Sequence, residues 1–240
     1  MTLARLAVFD MVGTTVHAGD EVPAAFREAM GSVGVELPEE AITGIRGRSK
    51  RDAITDLLRL HLPGGTGGAD LVEAVYARFQ EALRSAYRAR ARAVPGAEGV
   101  FLQLKQLHVE TVLNTGLDRE TAELIVHSLG WDALGLGGLV TGDDVVRGRP
   151  APDLIEAAMR LRTVEDPASV IAVGDTTSDL DAAAAAGVGW SIGVLSGAHT
   201  RSKLEAHPHT VILESVEAVP DWLVGAGALP PPSSRPGGGP

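Results

Sequence analysis

The chain contains no cysteine, which excludes a disulfide framework, a thiol nucleophile and a thiolate metal site. It also lacks an apolar run long enough to cross a membrane, and it opens on no secretory hydrophobic segment. The expectation is a soluble cytoplasmic protein. Positive charge is scarce: 21 Lys and Arg face 31 Asp and Glu, a formal charge of −10. Such a surface repels nucleic acid and anionic membrane, so neither is an expected partner. A negative protein that handles phosphate must offset the repulsion locally, with a metal or with clustered Arg and Lys. At 240 residues the chain can bury a full core, as one domain or as a core with an insert.

The continuous apolar run Leu6-Ala7-Val8-Phe9 predicts a short buried strand that delivers Asp10 to its C-terminal tip. Gly13 allows the turn that must follow. Thr14 and Thr15 then offer two hydroxyls and two backbone N–H groups beside one carboxylate, which suits a magnesium ion and a phosphoryl group. An Asp after an apolar strand is also an ordinary turn-former or helix cap, so this stretch does not decide the matter alone.

Apolar residues at helical spacing predict a helix over 22–33, stopped by Gly34, a second from Lys50 to Leu60, and a third from Asp70 to Arg90. The third presents Leu71, Val75, Phe79 and Leu83 on one face. Its terminal arginines (Arg84, Arg88, Arg90, with Arg92 beyond) suit the negative end of a helix dipole. Nothing between Gly19 and Ala93 reads as a strand. After Pro95-Gly96 the pattern becomes strand–helix alternation. Strands are expected at 112–114, 138–140, 170–173, 190–194 and 210–213, and helices at 122–129, 152–161 and from Ser178 to Gly187. Repeating βα units with apolar strands predict a parallel sheet covered on both faces. The Pro- and Gly-rich end of the chain is expected to be disordered.

Ligands of open α/β sheets sit at the carboxyl ends of the strands, and four such tips carry candidates. They are Asp10; Thr115-Gly116; Arg147 and Arg149 in the loop before the helix at Pro152; and Asp175 with Asp179 four residues on. Each has a plainer alternative: a routine turn, a solvated arginine, a helix cap. The seven histidines (17, 61, 108, 127, 199, 207, 209) form no metal-spaced cluster, and Trp131, Trp190 and Trp222 read as core or interface aromatics.

Taken in order, Asp10-x-x-Gly13-Thr14, Thr115-Gly116, Arg149-Pro150 and Gly174-Asp175-x-x-x-Asp179 resemble the signature of the haloacid dehalogenase superfamily of aspartyl-phosphate hydrolases. The resemblance implies an α/β fold. Its Rossmann-like parallel-sheet core would comprise 1–17 and 93–228, with an inserted all-helical C1-type cap domain over 18–92 and a tail over 229–240. It implies Asp10 as nucleophile and Mg²⁺ held by the Asp10 carboxylate, the Val12 carbonyl and Asp175, with Asp179 a ligand or anchor. Thr14, Gly47, Lys50, Thr115, Gly116 and Arg149 would contact a small phosphonate or phosphate substrate. The oligomeric state is left open, a homodimer included.

Two departures narrow the family. Most phosphatases of the superfamily carry a second Asp at the position of Val12, as general acid for the leaving oxygen. Valine cannot donate a proton, and general-acid help is worth roughly 10²–10⁴-fold. The phosphonoacetaldehyde hydrolase (phosphonatase) branch instead resembles this chain, with a small apolar residue there and Arg in place of the usual Lys at Arg149. Its cap lysine forms a Schiff base, and Lys50, in Gly47-Arg48-Ser49-Lys50, occupies that place. The surrounding Arg46, Arg48 and Arg51 are expected to depress its pKa. The histidine that the branch carries three residues later is Ala53 here. That favours a phosphonatase-like relative acting on a related phosphonate aldehyde or ketone, with a phosphate monoester as the alternative and a catalytically inactive binding module as a third reading.

Overall fold

The computed structural model describes residues 3–45, 48–65 and 68–230. Six strands form one sheet: β1 (Leu6–Asp10), β2 (Glu110–Asn114), β3 (Gly138–Val140), β4 (Val170–Gly174), β5 (Trp190–Val194) and β6 (Val211–Leu213). Every pairing is parallel, and the order is β3-β2-β1-β4-β5-β6. This α/β arrangement reverses direction beside β1, where doubly wound sheets open a crevice at the strand tips.

The strands are apolar on both sides because both sides are covered. Ala7 and Phe9 enter one hydrophobic cluster, and their neighbours Leu6 and Val8 enter another. Leu113 alternates with Val112 in the same way, as Ile171 and Val173 alternate with Val170 and Ala172. A period of two in side-chain direction, with both faces buried, yields the unbroken apolar runs of the sequence.

Four helices follow β1: α1 (Glu21–Gly31), α2 (Glu39–Gly44), α3 (Lys50–His61) and α4 (Ala69–Arg90). No strand lies between β1 and β2 among the described residues. α1 and α4 pack through Phe26 and Phe79, whose ring centroids are 4.5 Å apart. The chain leaves and re-enters the sheet layer side by side. Val16 bridges Ala93 in antiparallel fashion, His17 N donates to Arg92 O at 2.8 Å, and Val94 N donates to Thr15 O at 2.8 Å. The rest of the sheet is flanked by α5 (Ala97–Gln106), α6 (Arg119–Ser128), α7 (Asp153–Leu161), α8 (Thr177–Ala186), α9 (Arg201–Leu204) and α10 (Val219–Gly225). No helix of the described residues is long and apolar enough to cross a membrane.

The sequence pattern passes over α2, α5, α9 and α10. α2 has only six residues, too few to show a period. α5 is hidden because Pro95-Gly96 reads as a terminator. Gly96, with φ of 83°, is instead the left-handed residue from which α5 starts. The buried face of α4 runs through Val72, Tyr76 and Tyr87 as well as Val75, Phe79 and Leu83, while Leu71 is only half-buried. Arg84 does more than answer a helix dipole: it reaches Asp118 and Glu120 at 3.5 and 3.4 Å. Leu229, assigned to the tail, is buried in the core. Residues 231–240 lie outside the described residues.

Candidate active site

Two carboxylates stand at the tips of β1 and β4, and an arginine reaches them from a loop. Asp10, the last residue of β1, is 5% exposed and Asp175 only 1%. Arg149, also buried, reaches across from the loop before α7. Its Nη1 lies 2.6 Å from Asp10 Oδ1 and 2.6 Å from Asp179 Oδ1. Its Nη2 donates to Asn114 Oδ1 at 2.8 Å and to Asn114 O at 3.2 Å. One planar guanidinium thus ties β1, β2 and the start of α8 together, a task for a fork of fixed donors rather than a point charge. Burial opposes its charge, but the carboxylates of Asp10 and Asp179 outweigh that and hold it firmly protonated.

Asp179 is positioned twice over. In a capping box Thr176 Oγ1 accepts from Asp179 N, while Asp179 Oδ2 accepts from Thr176 N at 3.0 Å and from Thr176 Oγ1 at 2.5 Å. Its other oxygen meets Arg149. Asp175 is gripped by donors alone: Thr14 Oγ1 at 3.2 Å and Ala198 N at 2.6 Å. Among the described residues it has no ion pair. Burial lifts the Asp175 carboxyl well above its ordinary range, and the charges of Asp10 and Asp179 lift it further. Burial likewise raises Asp10 to about 6 despite Arg149.

The turn after β1 explains the close fit around Asp175. Gly13 has φ of 99°, and a Cβ there would stand 2.4 Å from Asp175 Oδ2. The donors of Thr14 and Thr15 do not serve as the sequence suggests. Both amides close onto Met11 O, at 3.2 and 2.8 Å, and Thr15 Oγ1 donates to Asp10 O at 2.9 Å. Thr14 holds Asp175 and is absent from the cavity wall.

That cavity is lined by Asp10, Val12, Lys50, Thr115, Gly116, Arg149 and Asp175, with apolar side chains from α1 and α2. Lys50, the first residue of α3, is 9% exposed, and its Nζ donates to Arg48 O at 3.2 Å. Burial lowers its pKa to about 8 against the attraction of Asp10, with Arg149 adding to the depression. The neighbouring arginines are occupied elsewhere: Arg48 pairs with Asp56 at 2.7 Å, and Arg51 pairs with Glu73 while lying 4.7 Å from the ring centre of Tyr76. Arg46 and Gly47 lie outside the described residues. Ala53 is fully buried one turn along from Lys50, and His17 is exposed and off the wall.

The tip constellation, the capping box and the buried lysine fit the family resemblance, and the comparison decides it. The chain matches the haloacid dehalogenase-like hydrolase family over residues 4–187. The chain belongs to the haloacid dehalogenase-like hydrolases. Within them it is similar to the phosphonoacetaldehyde hydrolase of Bacillus cereus, 31% identical over 92% of this chain and 88% of that protein. It is also similar to the phosphonoacetaldehyde hydrolase of Latilactobacillus sakei, 25% identical over 95% and 91%. A solved phosphonoacetaldehyde hydrolase like protein from Oleispira antarctica shares the fold, with a TM-score of 0.83 and 20% identity over 92% of each chain.

Among the described residues of this haloacid dehalogenase-like hydrolase, no group of three or more His, Cys, Asp or Glu is arranged to hold a metal ion. The side chains at the tips nevertheless offer hard oxygens, the carboxylates of Asp10 and Asp175. Burial is the main cause of the raised pKa values of both carboxylates, and the nearby charge of Asp179 adds to it. That set suits Mg²⁺, and Asp179, held by Arg149 and Thr176, suits an anchoring place beside it. Two contributors escaped the sequence pattern. Asn114 is visible only as a strand end, yet it orients Arg149. The loop at Ser196–Ala198 donates to Gly13 O and to Asp175, and no sequence motif singles it out.

Proposed function

We propose that this chain is a phosphonatase-like hydrolase that cleaves the C–P bond of a small phosphonate aldehyde or ketone. The observation that carries the proposal is Lys50: a lysine buried at a helix start, with its pKa lowered to about 8, on the wall of the cavity that also holds Asp10. A neutral amine attacks a carbonyl and an ammonium does not. Desolvation keeps part of Lys50 neutral near pH 7.

Lys50 Nζ adds to the substrate carbonyl and releases water, giving a protonated imine. Asp10 attacks phosphorus, the C–P bond breaks, and its electron pair moves toward the imine carbon to give an enamine. Protonation at carbon and hydrolysis by water then free Lys50 and the carbonyl product. A second water hydrolyses the phosphoryl group from Asp10. The leaving fragment is a carbon stabilised by the iminium, so Val12 has no proton to supply. Thr115, with the Gly116 amide, and Arg149 hold phosphoryl oxygens. Mg²⁺ on Asp10, Asp175 and the Val12 carbonyl would shield carboxylate and phosphoryl charge from each other. The helices from α1 to α4 act as a C1-type cap that excludes water from the imine.

The decisive experiment incubates the protein with phosphonoacetaldehyde and borohydride. We expect loss of activity and a mass adduct on the peptide containing Lys50, and Lys50→Ala should release no phosphate from the phosphonate. One observation favours a second reading, a Mg²⁺-dependent phosphate monoesterase: beside Lys50 the helix presents Ala53 and no proton-transfer group. Release of phosphate from an ester that survives Lys50→Ala, with no adduct in wild type, would establish that activity instead.

A further inference from the structure

The chemistry proposed above fixes two of the three groups on the substrate's carbonyl carbon. The carbonyl must face Lys50, and the arm bearing phosphorus must face Asp10 and Arg149. The third substituent can only meet what is left of the wall. On the side of the helices inserted after β1 that wall is apolar apart from Lys50 among the described residues. It is built by Val22, Pro23 and Phe26 of α1 and by Ile42 and Ile45 at α2, with Leu117 facing them from the sheet layer. Phe26, Ile42, Ile45 and Leu117 are at most 6% exposed. A hydrogen in the third position, as in an aldehyde, leaves the cavity space beside these side chains unfilled and forfeits the dispersion contacts available there. An alkyl group fills the space.

We propose that the substrate class is a 2-oxoalkylphosphonate whose alkyl substituent packs against Phe26, Ile42 and Ile45. The net reaction is R–CO–CH₂–PO₃²⁻ + H₂O → R–CO–CH₃ + HPO₄²⁻, where R is the alkyl group. The bonds that form and break are those already described, and R takes no part in them.

The proposal rests on the lysine–carbonyl reading, and its test separates the two. Phosphate release is followed for 2-oxopropyl-, 2-oxobutyl- and 2-oxopentylphosphonate, whose carbonyls are of nearly equal reactivity, each with a parallel borohydride trap. Burying one methylene is worth about a fourfold gain, so kcat/KM should climb by about that factor per carbon. Ile45→Phe, which occupies the same space, should flatten the climb. A flat or falling series with the Lys50 adduct still forming overturns the alkyl site and leaves the Schiff base standing. No adduct and no phosphate from any of the three ketones or from phosphonoacetaldehyde overturns both.

Discussion

Lys50 is costly to the fold and useful to the chemistry for the same reason. Its folded pKa is lowered from 10.5 to about 8, so between those values the unfolded chain binds more protons than the folded one. Stability must therefore rise with pH across that window and show its full deficit below pH 8. At one pH unit per 1.36 kcal/mol the deficit is on the order of 3 kcal/mol. Lys50→Met should consequently be more stable than wild type at pH 7, with the difference shrinking toward pH 10, as urea denaturation at several pH values would reveal. The same titration sets the rate. Cleavage of a phosphonate ketone needs the neutral amine and should speed up as pH rises through about 8. An ester bound by the ammonium should instead slow down over that range.

At the scale of elements, one of the links between the inserted helices and the sheet layer runs through a helix cap. Asp118 starts α6 by accepting from Thr121 N at 3.0 Å and from Thr121 Oγ1 at 2.7 Å, and it also receives Arg84 of α4 at 3.5 Å. Removing the carboxylate loses the cap, worth ~1 kcal/mol, leaves Arg84 with Glu120 as its remaining partner and strands the buried Thr121 hydroxyl. Removing the guanidinium leaves the cap intact. Asp118→Ala should thus destabilise the protein by about 1–3 kcal/mol and Arg84→Ala by less, read as urea midpoints at constant slope. The terminal arginines of α4 illustrate what a sequence hides. As a cluster near a helix end they are explained by local electrostatics, and nothing local shows that Arg84 crosses to a residue 34 positions away. The strands were legible because burial on both faces writes itself into unbroken apolar runs. The tips were legible because Asp10, Thr115 and Asp175 end or directly follow those runs, while Arg149 was picked out from the loop beyond β3. α5 and the role of Asn114 were not, since one depends on Gly96 adopting a left-handed conformation and the other on an arginine 35 residues on.

For the whole molecule, the cavity exists only while the inserted helices lie close over the strand tips, and two glycines permit that approach. A Cβ on Gly116 would stand 3.3 Å from Arg48 O, and one on Gly148 would stand 2.8 Å from Ser49 Cβ. Both contacts fall on the two residues before Lys50, so they set how far its amine sits from Asp10. The sequence draws the eye to the arginines on either side of Gly148, whereas the glycine between them fixes the spacing of the two layers. Gly148→Ala must push the start of α3 outward by a fraction of an ångström, because the obstructing atom belongs to a short side chain close to the backbone. The sheet and its clusters are untouched, so stability should change by less than about 1 kcal/mol. Catalysis is far less forgiving, since a misplacement near 1 Å can cost about 10²-fold. We therefore expect kcat for the phosphonate to fall by roughly one order of magnitude, with borohydride trapping at Lys50 slowed in proportion. If thermal melting drops along with the rate, the glycine serves folding rather than the spacing of Lys50 from Asp10.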